Sequence, residues 1–197
     1  MRGIMLEVPQ HILDERRISG AEQWDEVWEG VLHMVPPPSV EHQDFEGQLE
    51  TWLRLHWNPT HLSNRVFHQV ALSPDEKWIH NYRTPDIVLF TEEHLKNLQP
   101  TYCSGPCTVA VEIRSPNDES YEKLDFYGRL GVPEVWVIDR DTRLPEIHRL
   151  ANGRYEMESP TVDGWLRSQV VTIMMRHASK SLTLQIAAEV SSRQTIP

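Results

Sequence analysis

Two acidic residues stand where the pattern calls for buried strand. Val109-Ala110-Val111-Glu112-Ile113 is a continuous apolar run broken only by Glu112. Such a run belongs to a strand covered on both faces. An ionised carboxylate is costly there unless it is paired or holds a metal. Strand alternation puts Glu112 and Arg114 on one face and Val111 and Ile113 on the other. A Glu112–Arg114 or neighbouring salt bridge is the plain alternative. Asp86 opens a second apolar run, Pro85-Asp86-Ile87-Val88-Leu89-Phe90. If the two strands are neighbours, their carboxylates meet. Repulsion then favours protonation of one, or recruitment of a hard cation with oxygen ligands. A turn or cap role for Asp86 is the competing reading. Lys123 is the third element. Phe126, Tyr127 and Leu130 lie on the helical face just beyond it, so Lys123 sits on or beside the face that meets the sheet. Its amine either snorkels outward or turns toward Asp86 and Glu112, supplying a cation where negative charge develops.

The elements that must position these residues follow from periodicity and turn chemistry. Residues 21–30 precede a short apolar strand at 31–35, stopped by Pro36-Pro37-Pro38. Ser39 is placed as an N-cap, followed by Glu41 and a helix over about 40–57. Phe45, Leu49, Trp52 and Leu53 form its apolar face, extended by His56. Strands are expected at 65–72, 84–90 and 107–115, the first two joined by a long polar hairpin loop or lid. TEEHLKNLQP reads as a short helix ended by Pro100. A further helix over about 118–130, capped by Asn117 or Asp118 and closed by Gly131-Val132-Pro133, leads into a strand at 134–139. Asn152-Gly153 between strand-like runs marks a hairpin. Residues 165–176 add a strand, and SLTLQIAAEV a terminal strand or helix. The order predicts a mixed α/β domain on one central sheet, with additional antiparallel strands. The whole chain, 1–197, reads as one domain with its core over about 24–139 and a C-terminal hairpin and tail over 145–197.

Composition excludes several classes. Of 197 residues, 39% are hydrophobic and 24% charged, an ordinary globular balance. No apolar run approaches the roughly 18 residues that cross a bilayer. The start, MRGIMLEVPQ, reads as neither signal nor anchor, so a cytoplasmic location with no membrane contact is expected. The net charge of −10 argues against a protein that coats nucleic acid by electrostatics alone. Its distribution is uneven. Residues 1–50 hold eleven acids and three bases, whereas 51–85 hold two acids against Arg54, Arg65, Lys77 and Arg83, with His56, His61, His68 and His80 interleaved. Either a locally basic surface or ordinary solvated charges fits that stretch. Cys103 and Cys107 are half of a metal site with no second cysteine pair to complete it, or small buried thiols at the entrance to a strand.

Three segments then carry a resemblance: VWEGVLHMVPPPSVEH, YRTPDIVLF and VAVEIRSPNDESYEKLDFYGRLGVPEVWVID. Pro-Asp on one strand and a glutamate on another some 26 residues later resemble the PD-(D/E)XK nuclease superfamily. More narrowly, the segments resemble its family of putative restriction endonucleases, the Uma-type proteins, and SLTLQIAAEV is similar to that family's C-terminal end. The resemblance implies a restriction-endonuclease-like core, a central mixed sheet flanked by helices. It implies hydrolysis of phosphodiester bonds in DNA, with Mg2+ or Mn2+ held by Asp86, Glu112 and the main-chain carbonyl of Ile113. The superfamily lysine ordinarily stands two residues after the glutamate, where this sequence has Arg114. Arginine does not accept a proton but stabilises anionic charge. The family's lysine comes from the following helix, which is Lys123 here. His42 matches a recurring position, orienting water or phosphate or capping the first helix. Glu29 matches another, as a further metal ligand or only an edge-strand acid. Glu46, one helical turn past His42, is the alternative early acid. A symmetric homodimer is the expected assembly if both DNA strands are cut. Trp24, Trp28 and the C-terminal strands are its candidate interface, or core. Two other readings stay open: a binding protein that keeps the fold without cleavage, and a metal-dependent hydrolase of another substrate.

Overall fold

The computed structural model describes residues 8–197, so the reading of residues 1–7 as neither signal nor anchor lies outside the described residues. In chain order the elements begin with α1 (Gln10–Ser19), β1 (Glu26–Trp28), β2 (Val31–His33) and α2 (Val40–Trp52), which runs on as a wider π turn over Leu53–Trp57. Next come β3 (Arg65–His68), β4 (Leu72–Ser73), β5 (Ile87–Phe90), α3 (Glu92–Leu95), β6 (Cys103–Ser104) and β7 (Val109–Arg114). The chain then forms α4 (Leu124–Leu130), β8 (Glu134–Asp139), β9 (Pro145–Ala151), β10 (Arg154–Met157), β11 (Leu166–Arg167), β12 (Ile173–Ala178), β13 (Ser181–Ile186) and β14 (Glu189–Ile196).

The central six-stranded sheet has the order β10-β9-β8-β7-β5-β3. Only β7 and β8 pair in parallel, through the crossover that contains α4; the other pairs are antiparallel. Alternation on β7 sorts the core. Val109, Val111 and Ile113 join Phe45, Leu49 and Trp52 of α2 on one face, together with Met175 and Leu184 of the C-terminal sheet. Ala110 meets Val135, Val137, Phe126 and Tyr127 on the other. That second sheet, β11-β12-β13-β14, is antiparallel and is tied to α2 by a hydrogen bond from Trp52 Nε1 to the Ser192 carbonyl (2.9 Å). The mixed α/β architecture therefore matches the expectation. Among the described residues no helix is long and apolar enough to cross a membrane.

Local differences have local causes. The strand expected over 65–72 breaks at Gln69, which adopts a left-handed φ of 48°, and gives β3 and β4. Since β3 and β5 pair directly, the segment between them is a hairpin connection rather than a lid. The helix expected over 118–130 starts only at Leu124. Asp118 caps a turn instead: its carboxylate accepts the backbone N–H groups of Ser115 and Ser120, and this local bonding competes with helix. SLTLQIAAEV forms β13 and the start of β14, a strand rather than a helix. α1 and β1 were not anticipated. Cys103 and Cys107 are buried free thiols, and burial pushes the acidity of both down, Cys103 to a pKa of about 12.

Candidate active site

The pairing of β5 with β7 sets Ile87 opposite Val111, so one step further along the register Asp86 faces Glu112. The two acids singled out from the sequence therefore meet at the mouth of one strand pair. Asp86 is fixed from two sides. Its Oδ2 accepts the backbone N–H of Ile113 (2.6 Å), and its Oδ1 lies 3.2 Å from His42 Nε2.

His42 is delivered by the first turn of α2, where Ser39 Oγ caps the helix by accepting the His42 N–H (3.2 Å). Its Nδ1 is 3.4 Å from Ser115 Oγ, and its Nε2 is 3.8 Å from Glu46 Oε2. His42, Glu46 and Asp86 each offer one ligand atom, all within 4.8 Å of one another. Burial would lower the His42 pKa, but the Asp86 hydrogen bond and charge raise it above its ordinary value. Glu46 is 3% exposed. Burial, reinforced by the Asp86 charge, pushes its pKa up to about 8. Its Oε1 stands 2.9 Å from His68 Nδ1, yet off the hydrogen-bond direction, so this buried oxygen has no aligned donor among the described residues.

Glu112 is enclosed differently. Tyr127 donates its hydroxyl to Oε1 (2.6 Å), and Lys123 Nζ donates to Oε2 (3.1 Å). Lys123 is shared with Glu26 Oε1 at 2.9 Å. Glu26 in turn accepts the Thr84 N–H and the Trp28 indole N–H, both at 2.7 Å. Burial raises the Glu112 pKa to about 8, against the opposing pull of Lys123. For Lys123 burial would lower the pKa, but Glu112, Glu26 and Asp86 together hold it above the usual lysine value. The amine turns inward onto Glu26 and Glu112 rather than snorkelling.

Four carboxylates thus crowd the site, on Glu26, Glu46, Asp86 and Glu112, against Lys123 and a chargeable His42. Either protons or a cation must make up the difference. The donor set, one imidazole and several carboxylate oxygens, suits a divalent ion with mixed tolerance for nitrogen and oxygen.

The remaining sequence candidates lie outside this group. Arg114 is bound to Asp139 (2.5 Å), with its guanidinium 5.6 Å from the Tyr121 ring centre. Glu29 occupies the β1–β2 turn at a φ of 47°, and its carboxylate is held between Arg83 (3.1 Å) and Arg129 (2.9 Å). The structure does not bring Glu29 to Asp86; the early acids that converge are Glu26 and Glu46. Glu26 was missed, and its signal was faint: an acid in a three-residue strand. The Tyr127 hydroxyl was missed as a partner of Glu112, although its spacing of four from Lys123 puts both on one helical face. Two of the arginines of 51–85 are committed within the protein. Arg83 is sandwiched 4.2 Å from the Trp28 and Phe126 rings, and Arg54 is tied to Glu50. Trp28 turns inward onto His33 and Arg83.

Comparison with known proteins adds three findings. The family model Uma2, described as "Putative restriction endonuclease", matches residues 16–176. No curated protein gives a significant match. Among solved structures, one similar chain is described as a putative nuclease belonging to DUF820 from Anabaena variabilis ATCC 29413. It is 17% identical, with a TM-score of 0.57 over 73% of this chain and 80% of that one, a likeness of fold.

Proposed function

This chain belongs to the Uma2 family of putative restriction endonucleases, and from that premise we propose that it hydrolyses phosphodiester bonds in DNA with Mg2+ or Mn2+. The observation that carries the reading is the meeting of Asp86 and Glu112 across one strand pair, with Lys123 on Glu112. Asp86 and Glu112 would hold the cation from the β5–β7 strand pair, with Glu46 and His42 of α2 beside them as further ligands. The excess of carboxylates, and ligand atoms of His42, Glu46 and Asp86 that all lie within 4.8 Å of one another, support a cation there. When bound, the cation supplies charge neutralisation at the scissile phosphate and a more acidic attacking water.

The protein's own groups divide the remaining work. Lys123 stays an ammonium among its carboxylates, so it donates to a phosphate oxygen or orients the water and does not accept a proton. Tyr127 and Glu26 hold Glu112 and Lys123 in register. Ser115 Oγ, beside Nδ1, orients the His42 ring so that Nε2 faces Asp86. Arg114, two residues beyond Glu112 on β7 and partly exposed, adds an electrostatic clamp when it leaves Asp139 for the substrate. The whole chain acts as one nuclease-like domain.

Nicking of supercoiled plasmid in Mg2+ or Mn2+ tests the proposal. The wild type should nick, and Asp86→Ala and Glu112→Ala should not. A folded wild type with no more nicking than either variant would leave a non-cleaving protein of the same fold as the better account.

A further inference from the structure

We propose that the hollow over Val137 is a nucleobase subsite, which takes an unpaired cytosine or adenine beside the scissile phosphate. The proposal rests on the nuclease reading and narrows its substrate to DNA with an unpaired nucleotide at the cut. The hollow has a volume of about 230 Å3, and Arg114, Tyr121, Val137, Asp139, Leu144 and Glu146 line it. Its place follows from strand register. Glu112 on β7 stands opposite Val137 on β8, and Val137 stands opposite Glu146 on β9. Residues directly opposite share a face of the sheet, and neighbouring strands lie about 4.8 Å apart. The floor of the hollow is therefore one strand from Glu112, and its far wall about 10 Å away.

The lining suits a base rather than a phosphate. Two carboxylates, on Asp139 and Glu146, face one guanidinium, so an anion would meet more repulsion than attraction. Tyr121 is 42% exposed and Leu144 48% exposed, and with Val137 they supply the ring and aliphatic surface on which an unpaired base stacks. Glu146 is fixed in place: Oε1 accepts the Tyr121 hydroxyl (2.9 Å), and Oε2 lies 2.8 Å from His148 Nε2. Each carboxylate oxygen has two lone pairs, so Glu146 keeps capacity to accept from an amine. Carboxylates accept from the exocyclic amine of cytosine, and adenine carries such an amine as well. Thymine and uracil present an oxygen there, which a carboxylate rejects.

Arg114 couples this hollow to the phosphate. Its guanidinium is bound to Asp139 Oδ2 (2.5 Å) and lies 5.6 Å from the Tyr121 ring centre. Its turn toward a substrate phosphate uncovers that ring and frees Asp139 as a second acceptor. Burial would raise the Asp139 pKa, but bonds from Thr142 and the Arg114 charge hold it below its ordinary value. A set of ion pairs serving stability alone accounts for the polar bonds. It does not account for a half-exposed ring and leucine around an open hollow one strand from Glu112. A base stacked in a duplex cannot enter such a hollow, so the nucleotide is unpaired or turned out of its helix.

The test is fluorescence anisotropy of the full chain with labelled single-stranded octamers of deoxycytidine and of deoxyuridine, run beside plasmid nicking. The wild type should bind the cytosine octamer about tenfold more tightly. Glu146→Gln, nearly isosteric, should bring that ratio close to one, since its amide also donates to the uracil oxygen. Tyr121→Ala should weaken binding of both octamers about tenfold, and Tyr121→Phe, which keeps the ring, should restore most of it. Circular dichroism melts establish that each variant is folded. A ratio unchanged in folded Glu146→Gln would give Glu146 a structural role only and overturn the subsite. Equal binding of the two octamers by a wild type that nicks plasmid would overturn the subsite and leave the nuclease reading intact. A cytosine preference without nicking would uphold the base subsite and overturn cleavage. Neither binding nor nicking by the folded wild type would overturn both.

Discussion

Glu112 and Glu46 flank Asp86 from opposite sides, and burial drives both to a pKa of about 8. There the likeness ends. On the α4 side the protein completes Glu112 itself, with a tyrosine hydroxyl and a lysine that Glu26 helps to hold. On the α2 side Glu46 faces two imidazoles and keeps one oxygen without an aligned donor, at the edge of an open hollow. A shifted acidity therefore says little by itself about function. The difference lies in whether the compensating charge is built into the fold or left to be supplied from outside. The first half brings Lys123 of its own to Glu112; the second leaves its charge to a cation.

The largest effect should come from the residue that belongs to both halves. Asp86→Asn should lower plasmid nicking on the order of 100-fold or more, as removal of a group that positions transition-state charge does. Retention of nicking within a few fold would break the comparison at its centre.

The closed half should answer in stability. Lys123→Met leaves Glu112 and Glu26 buried without their cation, and loss of one partner of such a group costs about 3–5 kcal/mol. Urea unfolding measures it, and adding Glu112→Gln to Lys123→Met should restore part of the loss. Additive effects in that pair would mean that Lys123 does not compensate Glu112.

The open half should answer in pH dependence. Glu46 is raised from 4.5 to about 8, so its favourable contribution to folding is complete below about 4.5 and is lost as the pH rises through about 8. Glu46→Gln does not titrate. Its melting temperature should therefore gain on the wild type as the pH rises from 5 to 9 without metal. Metal must displace the protons on Glu46 and Glu112, so Mn2+ should raise the wild-type melting temperature more at pH 8 than at pH 6. A metal shift larger at the lower pH would contradict the assignment.

The smallest effect belongs to Arg114. Its bond to Asp139 is partly exposed, and such pairs contribute about 0–1 kcal/mol. Arg114→Lys should change stability by less than about 1 kcal/mol and nicking by only a few fold. A large gain in nicking would show that position 114, not Lys123, is where the reaction wants its cation.

How much of this was legible in the sequence follows the range of the interactions. The strand at 134–139 and the Asn152-Gly153 hairpin were readable because an apolar run and a turn dipeptide are local signals. Asp86 and Glu112 were readable because an acid inside an apolar strand violates the local pattern. Lys123 was placed on the correct side of its segment, although the helix begins there rather than five residues earlier, since Asp118 diverts the backbone into a turn. Glu46 was visible only as an alternative to Glu29, because it lies one helical turn past His42. Which of them reaches Asp86 depends on the β1–β2 turn, which aims Glu29 at Arg83 and Arg129. Glu26 and His68 were not legible as site residues. Glu26 meets Lys123 across 97 positions, and His68 meets Glu46 only through the packing of β3 beside α2, contacts that no periodicity records.

The most direct test of the central claim is an anomalous-scattering map from crystals of the wild type grown with Mn2+. The account predicts a peak within bonding distance of Asp86, between the β5–β7 strand pair and the start of α2. Full density for Asp86, Glu112, Glu46 and His42 with no anomalous peak among them, at saturating Mn2+, would contradict it.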